Sequence, residues 1–380
     1  MPVIGVREMA AAMRVLATGN LSRFSPGGTS RTTRFETELA AATGATHALA
    51  VNSGTSALVC ALVGAGIGPG DEVLVPAYTW VSTAAAPLAV GAVPVLVDID
   101  DSLTIDPIDM KAKVTPHTRA VIPVHMLNLV ADMDAVMGLA HQHDLAVIED
   151  ACQAIGVKYR QRRVGSIGTA GAFSFNQHKN IKCGEGGALV TSDSRVYARA
   201  GMYHDVGSYS REGRFESDEP LFVGQNLRMP ELSAAILSPQ LARLDRQLAR
   251  RSARRRMIID EVADVSGLSV SPHNDPANAV GLTVQFDDPG RARAFATGAG
   301  VNRLIDTGRH VYTNWEPIRA RRSFDERLDP YQWAHRSIEY DERTSPATLD
   351  ILARSCSISV DPQIPISAIR HLIRRHVRKF

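Results

Sequence analysis

Six short apolar runs, at residues 72–76, 94–99, 120–124, 145–149, 172–175 and 188–191, constrain this chain more than any other feature. They are apolar at successive positions rather than at alternate ones. A strand with one wet face alternates, whereas a strand covered on both faces does not. Helical patterns at 56–65, 82–90 and 131–143 lie between runs. Strand–helix alternation of this kind predicts an α/β layered fold, a largely parallel sheet with helices on both faces. In such folds ligands bind beyond the carboxyl ends of the strands, and several unusual residues of this chain fall there.

A length of 380 residues leaves room for a large domain and a smaller one. The boundary is placed at 245, giving a large domain over 1–245 with an N-terminal helical segment, and a smaller α/β domain over 246–380. Residues 207–224 are polar, glycine-punctuated and aromatic, and read as a long loop. Residues 230 to about 263 read as one helical segment with a stripe of Ile236, Leu237, Leu241, Leu244 and Leu248. Seven arginines lie between Arg243 and Arg256. Without interleaved aromatics they read as the solvated face of a connecting helix rather than a nucleic-acid patch.

A net charge of +2 gives no global reason to bind nucleic acid or an anionic membrane. No apolar run has the length of a membrane span. The first residues, carrying Arg7, Glu8 and Arg14, lack a signal-peptide core. Cys60, Cys152, Cys183 and Cys356 are too scattered to suggest a disulfide framework or a zinc site. The expectation is a cytoplasmic enzyme without a metal.

Three stretches carry chemistry. NSGTSAL, residues 52–58, follows an apolar run and opens a helix. Gly54, Thr55 and Ser56 there could cradle a phosphate at the positive end of the helix, or simply cap it. EDACQ, residues 149–153, puts two acids at the end of a buried strand. Such acids need partners, and Asp150 could hold a proton on a ring nitrogen or cap a helix. SFNQHKNIKCGEGG, residues 174–187, places Lys179 just after another buried strand. An amine withdrawn from water can attack an aldehyde. Lys179 could equally lie on the surface, Lys182 is a decoy three residues on, and His178 could be a second acid–base group or a surface residue. Taken in order, these stretches and the aromatics Tyr78 and Trp80 supply a phosphate grip, a stacking ring, a carboxylate and an imine-forming amine. Together they describe a pyridoxal 5′-phosphate (PLP) site.

Nine segments between about 34 and 245 then carry a resemblance: NSGTSAL, GIGPGDEVLVPAYTW, GAVPVLVDID, VIPVHM, ADMD, VIEDACQAIG, FSFNQHK, GEGGALVTSD and GQNLRMPELSAAI. The chain resembles the DegT/StrS-type PLP-dependent sugar and aminocyclitol aminotransferases, of fold type I, which implies an α/β large domain with a mixed, mostly parallel seven-stranded sheet flanked by helices and a smaller C-terminal α/β domain. The resemblance is dense over roughly two-thirds of the chain and loose beyond. It implies a PLP/PMP cofactor and an amino group moved from glutamate or glutamine to a keto-sugar, nucleotide-linked, or a ketocyclitol, in amino-sugar, aminocyclitol or antibiotic biosynthesis. It implies that Lys179 binds the cofactor covalently and moves a proton, and that Asp150 pairs with the pyridine nitrogen. Gln153 would contact the ring, Trp80 would stack on it, and Gly54, Thr55 and Ser174 would hold its phosphate. Asn226 matches an asparagine lent to the neighbouring subunit's phosphate, which implies a homodimer with shared active sites.

The chain departs from the family at Leu127–Asn128–Leu129, where a glycine-containing turn is usual beside the substrate pocket. In RHVYTNWEPI, residues 309–318, His310, Tyr312 and Trp315 are pocket candidates or packing aromatics. A dehydratase on the same scaffold would have histidine where Lys179 stands, and a catalytically silent regulator would have lost Lys179 or Asp150.

Overall fold

The computed structural model describes residues 4–24, 30–207, 219–263, 265–297 and 300–377. The expected buried runs are strands. They are β1 His47–Val51, β2 Glu72–Pro76, β3 Val93–Val97, β4 Thr118–Val121 and β5 Ala146–Asp150, then, after a small hairpin of β6 Lys158–Tyr159 and β7 Arg162–Arg163, β8 Ala170–Ser174 and β9 Gly187–Thr191. They form a seven-stranded sheet in the order β1-β9-β8-β5-β4-β2-β3. The pairs β2–β3, β2–β4, β4–β5 and β5–β8 are parallel, and β9 runs antiparallel to β8 and β1. Every residue of β2, β3, β8 and β9 is buried. That double-sided burial is why their sequences show no alternation.

Helices cover the sheet: α1 Val6–Thr18, α2 Arg31–Thr43, α3 Gly54–Gly64, α4 Ser82–Ala89, α5 Pro107–Lys113, α6 Met133–Gln142 and α7 Ser194–His204. The segment expected as one helix from 230 to 263 is two, α8 Glu231–Leu241 and α9 Leu244–Val262. Pro239 removes an amide from the ladder of α8. Arg243, at φ −118° and ψ 8°, then leaves helical geometry and separates α8 from α9. Of the expected loop at 207–224, residues 208–218 lie outside the described residues, and the remainder carries neither helix nor strand.

A second, antiparallel sheet is built from β10 Leu268–Val270, β11 Thr283–Phe286, β12 Val301–Arg303 and β13 Ser355–Ile358, in the order β10-β11-β13-β12. It shares a buried core with α9, with the helix α10 at Pro289–Phe295 and with the C-terminal helix at Ile366–Val377. The two cores are not divided by one cut of the chain. Tyr312, Trp315, Ile318, Ile338 and Tyr340 belong to the buried cluster of the large sheet. The Tyr340 hydroxyl donates to Pro94 O at 2.6 Å beside β3. Residues beyond 245 therefore return to the large sheet, and they return next to its carboxyl edge: Thr79 N donates to His310 O at 3.0 Å and Val81 N to Arg309 O at 3.1 Å.

Candidate active site

A cavity of about 740 Å³ opens at the carboxyl ends of the sheet strands and extends to the edge of the second sheet. Its floor is set by β5 and β8, the parallel pair in which Asp150 and Ser174 are the last residues. The two acids of the EDACQ stretch turn to opposite sides, as neighbours on a strand must. Asp150 lines the cavity. One of its oxygens accepts from Thr83 Oγ1 at 2.7 Å and the other from Cys152 N at 3.1 Å. Glu149 is fully buried and faces away. It accepts from the amides of Gly165, Ile167 and Gly168 at 2.6–2.7 Å. It also accepts from His125 Nε2 at 3.1 Å. The His125 Nδ1 receives Ala131 N, so Nε2 carries the proton and the contact with Glu149 is a donated hydrogen bond. Glu149 thus fixes the loop behind the site and leaves Asp150 as the carboxylate of the cavity floor.

Lys179 lines the same cavity. Its amide donates to Asn176 O at 3.0 Å, in a turn closed by the Asn176–Gly184 bridge. Lys182 does not line it. The backbone of Lys182 is held by Gln240, which receives its amide at 3.0 Å and donates to its carbonyl at 2.8 Å. The decoy is thereby separated from the candidate. His178 is exposed, beside Lys179 on the cavity wall.

Helix α3 points its N-terminus into the cavity through Ser53, Gly54 and Thr55. Its cap is Ser53, whose Oγ accepts from Ser56 N at 3.0 Å. Ser56 is not a wall residue: its hydroxyl donates back to Asn52 Oδ1 at 2.6 Å. Of the expected trio, Gly54 and Thr55 face the cavity and Ser56 completes the cap. A Cβ on Gly54 would lie 2.8 Å from Ser174 Cβ and 2.9 Å from Cys152 Sγ. Only glycine lets the first amides of the helix sit against the end of β8.

Trp80 is 41% exposed, an aromatic face left open on the cavity wall. It leans against His310 with ring centroids 5.1 Å apart. His310 Nδ1 donates to Thr307 O at 3.0 Å. The neutral ring therefore carries its lone pair on Nε2, which receives Gln153 Nε2 at 3.5 Å. The Gln153 Oε1 in turn accepts Leu127 N at 3.1 Å. Burial, with a smaller effect of the Lys179 charge, holds the His310 pKa below its ordinary value and favours this neutral form.

Two pocket candidates are elsewhere. Tyr312 and Trp315 are fully buried in the large-sheet core and are absent from the described cavity wall. The Tyr312 hydroxyl donates to Glu342 O at 3.1 Å, and the Trp315 indole N–H donates to Arg309 O at 2.7 Å. They anchor the segment that carries His310. Asn226 is exposed and its backbone bridges to Asp205; it too is away from this cavity.

The arginine run is not a solvated face throughout. Arg246, Arg250 and Arg256 are exposed, but Arg255 Nε donates to Gly281 O at 2.8 Å, Arg254 binds Ile364 O, and Arg251 lines the cavity and binds Asn180 Oδ1. The sequence did carry a signal for Arg251. It lies three residues beyond Leu248, which lies four beyond Leu244, on the stripe that α9 buries. Thr83, the partner of Asp150, also escaped sequence reasoning; it sits one helical turn after Thr79, to whose hydroxyl it is bonded at 2.7 Å.

Comparison with known proteins agrees with this geometry. The model of the DegT/DnrJ/EryC1/StrS aminotransferase family matches residues 3–365. The chain belongs to that family. It is 40% identical over 278 residues, 71% of each chain, to the dTDP-3-amino-3,4,6-trideoxy-alpha-D-glucose transaminase of Streptomyces venezuelae. It is 44% identical over 261 residues, 66% of this chain and 65% of the other, to the spore coat polysaccharide biosynthesis protein SpsC of Bacillus subtilis. Among solved structures, 3-amino-5-hydroxybenzoic acid synthase superposes with a TM-score of 0.80 at 30% identity, covering 99% of this chain and 97% of the other. The protein is a PLP-dependent aminotransferase, on the fold of those enzymes. The wall residues suit that cofactor: free helix-terminal amides for an anion, an open indole for a ring, a buried carboxylate and an amine within one cavity. Among the described residues, no helix is long and apolar enough to cross a membrane.

Proposed function

We propose that the protein moves an amino group from glutamate or glutamine to the ketone of a nucleotide-linked sugar or a cyclitol, in amino-sugar, aminocyclitol or antibiotic biosynthesis. The observation that carries this is the shared cavity of Lys179, Asp150 and the α3 N-terminus. The two relatives bearing sugar-nucleotide and polysaccharide names support the acceptor class. Bound PLP supplies an electron sink that stores and returns the amino group.

The chain's own residues do the rest. The amides of Gly54 and Thr55 and the Ser174 hydroxyl bind the phosphate at the positive end of α3. Trp80 covers one face of the ring. Asp150, held by Thr83 and the Cys152 amide, is oriented to keep a proton on the ring nitrogen. Lys179 anchors the cofactor and carries a proton between the substrate carbon and the cofactor. Gln153, fixed by Leu127 N and His310, presents its amide to the ring oxygen. Asn226, exposed on the segment after 224, serves the site of a second copy, so the working form is a cytoplasmic homodimer with shared active sites.

Lys179 is present where a dehydratase would differ, and both Lys179 and Asp150 line the cavity, which disfavours a silent regulator. An absorption spectrum of the purified protein with PLP, beside Lys179→Ala, tests the reading. The wild type is expected to show a visible band of lysine-bound cofactor that moves to the near-ultraviolet with glutamate or glutamine. The variant should lack that band and lose roughly a thousandfold or more in turnover. A visible band that neither donor moves would discard the proposed donor; absence of the band in the wild type would discard Lys179.

A further inference from the structure

Helix α9 buries a stripe with a change of chemistry in its middle. Leu244, Leu248, Ile258 and Val262 are its buried residues. Arg251 and Arg255 occupy the intervening positions of the same stripe, at helical spacing. Arg255 donates from Nε to the Gly281 carbonyl and does not line the cavity; Arg251 does. It reaches the cavity where the edge of the second sheet contributes Asn302, Ser357 and Ser359.

The position of this guanidinium is fixed. Its Nη1 donates to Asn180 Oδ1. Asn180 is buried and immobilised from its other end, donating from Nδ2 to Asn128 Oδ1 at 2.7 Å and to Ile155 O at 3.3 Å. Asn128 follows Leu127 in a turn where both residues have positive φ, 63° and 53°. That turn is the one that departs from the family's glycine-containing form, and an asparagine at its second position is what Asn180 holds. Asn180 is also the residue next to Lys179, so Arg251 is tied to the backbone that carries the reacting amine.

Its charge has no partner in the described protein. Arg243 and Arg163 beside α9 do have partners, Glu8 and Asp245, while Arg254 and Arg255 bind backbone carbonyls. No described carboxylate lies within ion-pair distance of Arg251. Asp361, which lines the same cavity, favours its charge from beyond ion-pair distance, and its Oδ1 accepts Gln363 N at 2.9 Å. Burial accordingly pulls the Arg251 pKa below its ordinary value. A guanidinium has five N–H donors in a fork that matches a carboxylate or phosphate. With one donor spent on Asn180, the rest of the fork is left to a ligand. A half-buried cation in that state is costly unless an anion completes it.

We propose that Arg251 is the oxyanion-binding residue of the substrate site, taking either the carboxylate of the amino donor or the phosphate of a nucleotide-linked acceptor. This deepens the functional reading above and rests on it for the identity of the ligands, though not for the binding of an anion.

The test is titration calorimetry on the PLP-loaded enzyme with two probes, glutarate and inorganic pyrophosphate. Wild type, Arg251→Gln, Arg251→Lys and the exposed control Arg246→Gln are compared. Arg251→Gln should weaken at least one probe by about tenfold or more, since charge-assisted bonds are lost. Arg251→Lys should recover part of that loss, and Arg246→Gln should bind as wild type does. A loss confined to glutarate assigns the donor carboxylate, and one confined to pyrophosphate assigns the acceptor phosphate. Unchanged binding of both probes in Arg251→Gln, or no binding of either by the wild type, overturns the proposal. Should Arg251→Gln not fold, the charge-retaining Arg251→Lys still decides: full wild-type affinity there reduces Arg251 to a point charge and overturns the fork. Arg251-dependent binding in a protein that transfers no amino group would sink the functional reading and leave this one standing.

Discussion

The two ends of the cavity are finished to different degrees. At the large-sheet end both acids have protein partners. Asp150 has Thr83 and the Cys152 amide, and behind it Glu149 has three amides and His125. At the second-sheet end Arg251 has one side-chain partner and no counter-ion among the described residues. A site meant for a resident group is preorganised by its surroundings, so that nothing reorganises when charge moves. A site meant for molecules that come and go leaves hydrogen bonds unspent. The difference supports the proposal that the first end holds the cofactor and the second the substrates.

Three further measurements can break or sharpen that contrast. The largest effect is expected for Asp150→Asn, which removes the carboxylate but keeps its shape. Turnover should fall by about 10²–10³-fold, while glutarate and pyrophosphate bind as they do to wild type. An equal loss in anion affinity would mean that the two ends are not independent.

The next concerns acid stability. His204 lies at the end of α7 and His273 in the loop after β10, and burial pushes the pKa of each down to about 4. A depressed histidine pKa means that the unfolded chain takes up protons before the folded one. The stability these groups contribute is whole above about pH 6.5 and is lost as pH falls toward 4. Together they contribute on the order of a few kcal/mol. Thermal unfolding followed from pH 7.5 to 4.5 should show a falling Tm, flattened in part by His204→Gln on the large-sheet side and by His273→Gln on the other. A Tm unchanged across that range would remove both groups from the account.

The smallest catalytic effect is expected for Trp315→Phe. It loses the bond to Arg309 O and some packing volume, costing about 1–3 kcal/mol of stability. Since Trp315 holds the segment of His310 without lining the cavity, kcat should stay close to wild type. A large fall in kcat at unchanged Tm would return Trp315 to the pocket.

Much of the cofactor end was legible in the chain because it is local. Asp150 ends one apolar run, Lys179 closely follows another, and Gly54 opens a helix after a third. Strand ends are read directly from where apolar runs stop, and parallel sheets put their sites at those ends. For Ser56 the sequence left phosphate cradle and helix cap both open, because it shows that a helix starts there but not which hydroxyl caps it. Tyr312 and Trp315 were ambiguous because an aromatic near a histidine looks the same whether it faces a cavity or a core.

What the sequence by itself determined is thus the sheet, its helices and the side chains at the strand ends. Periodicity and short spacing carry that information along the chain. What only the tertiary structure decided is which distant segments close the cavity. Residues 308–312 fall beside Thr79 and Trp80 through backbone pairing that no local pattern encodes. Arg251 becomes a cavity residue for the same reason. Helical spacing shows that its face is covered, but what covers it depends on the break between α8 and α9 and on where Asn180 has been placed. Those contacts depend on the direction of packed elements, and direction is a property of the assembled core rather than of any stretch within it.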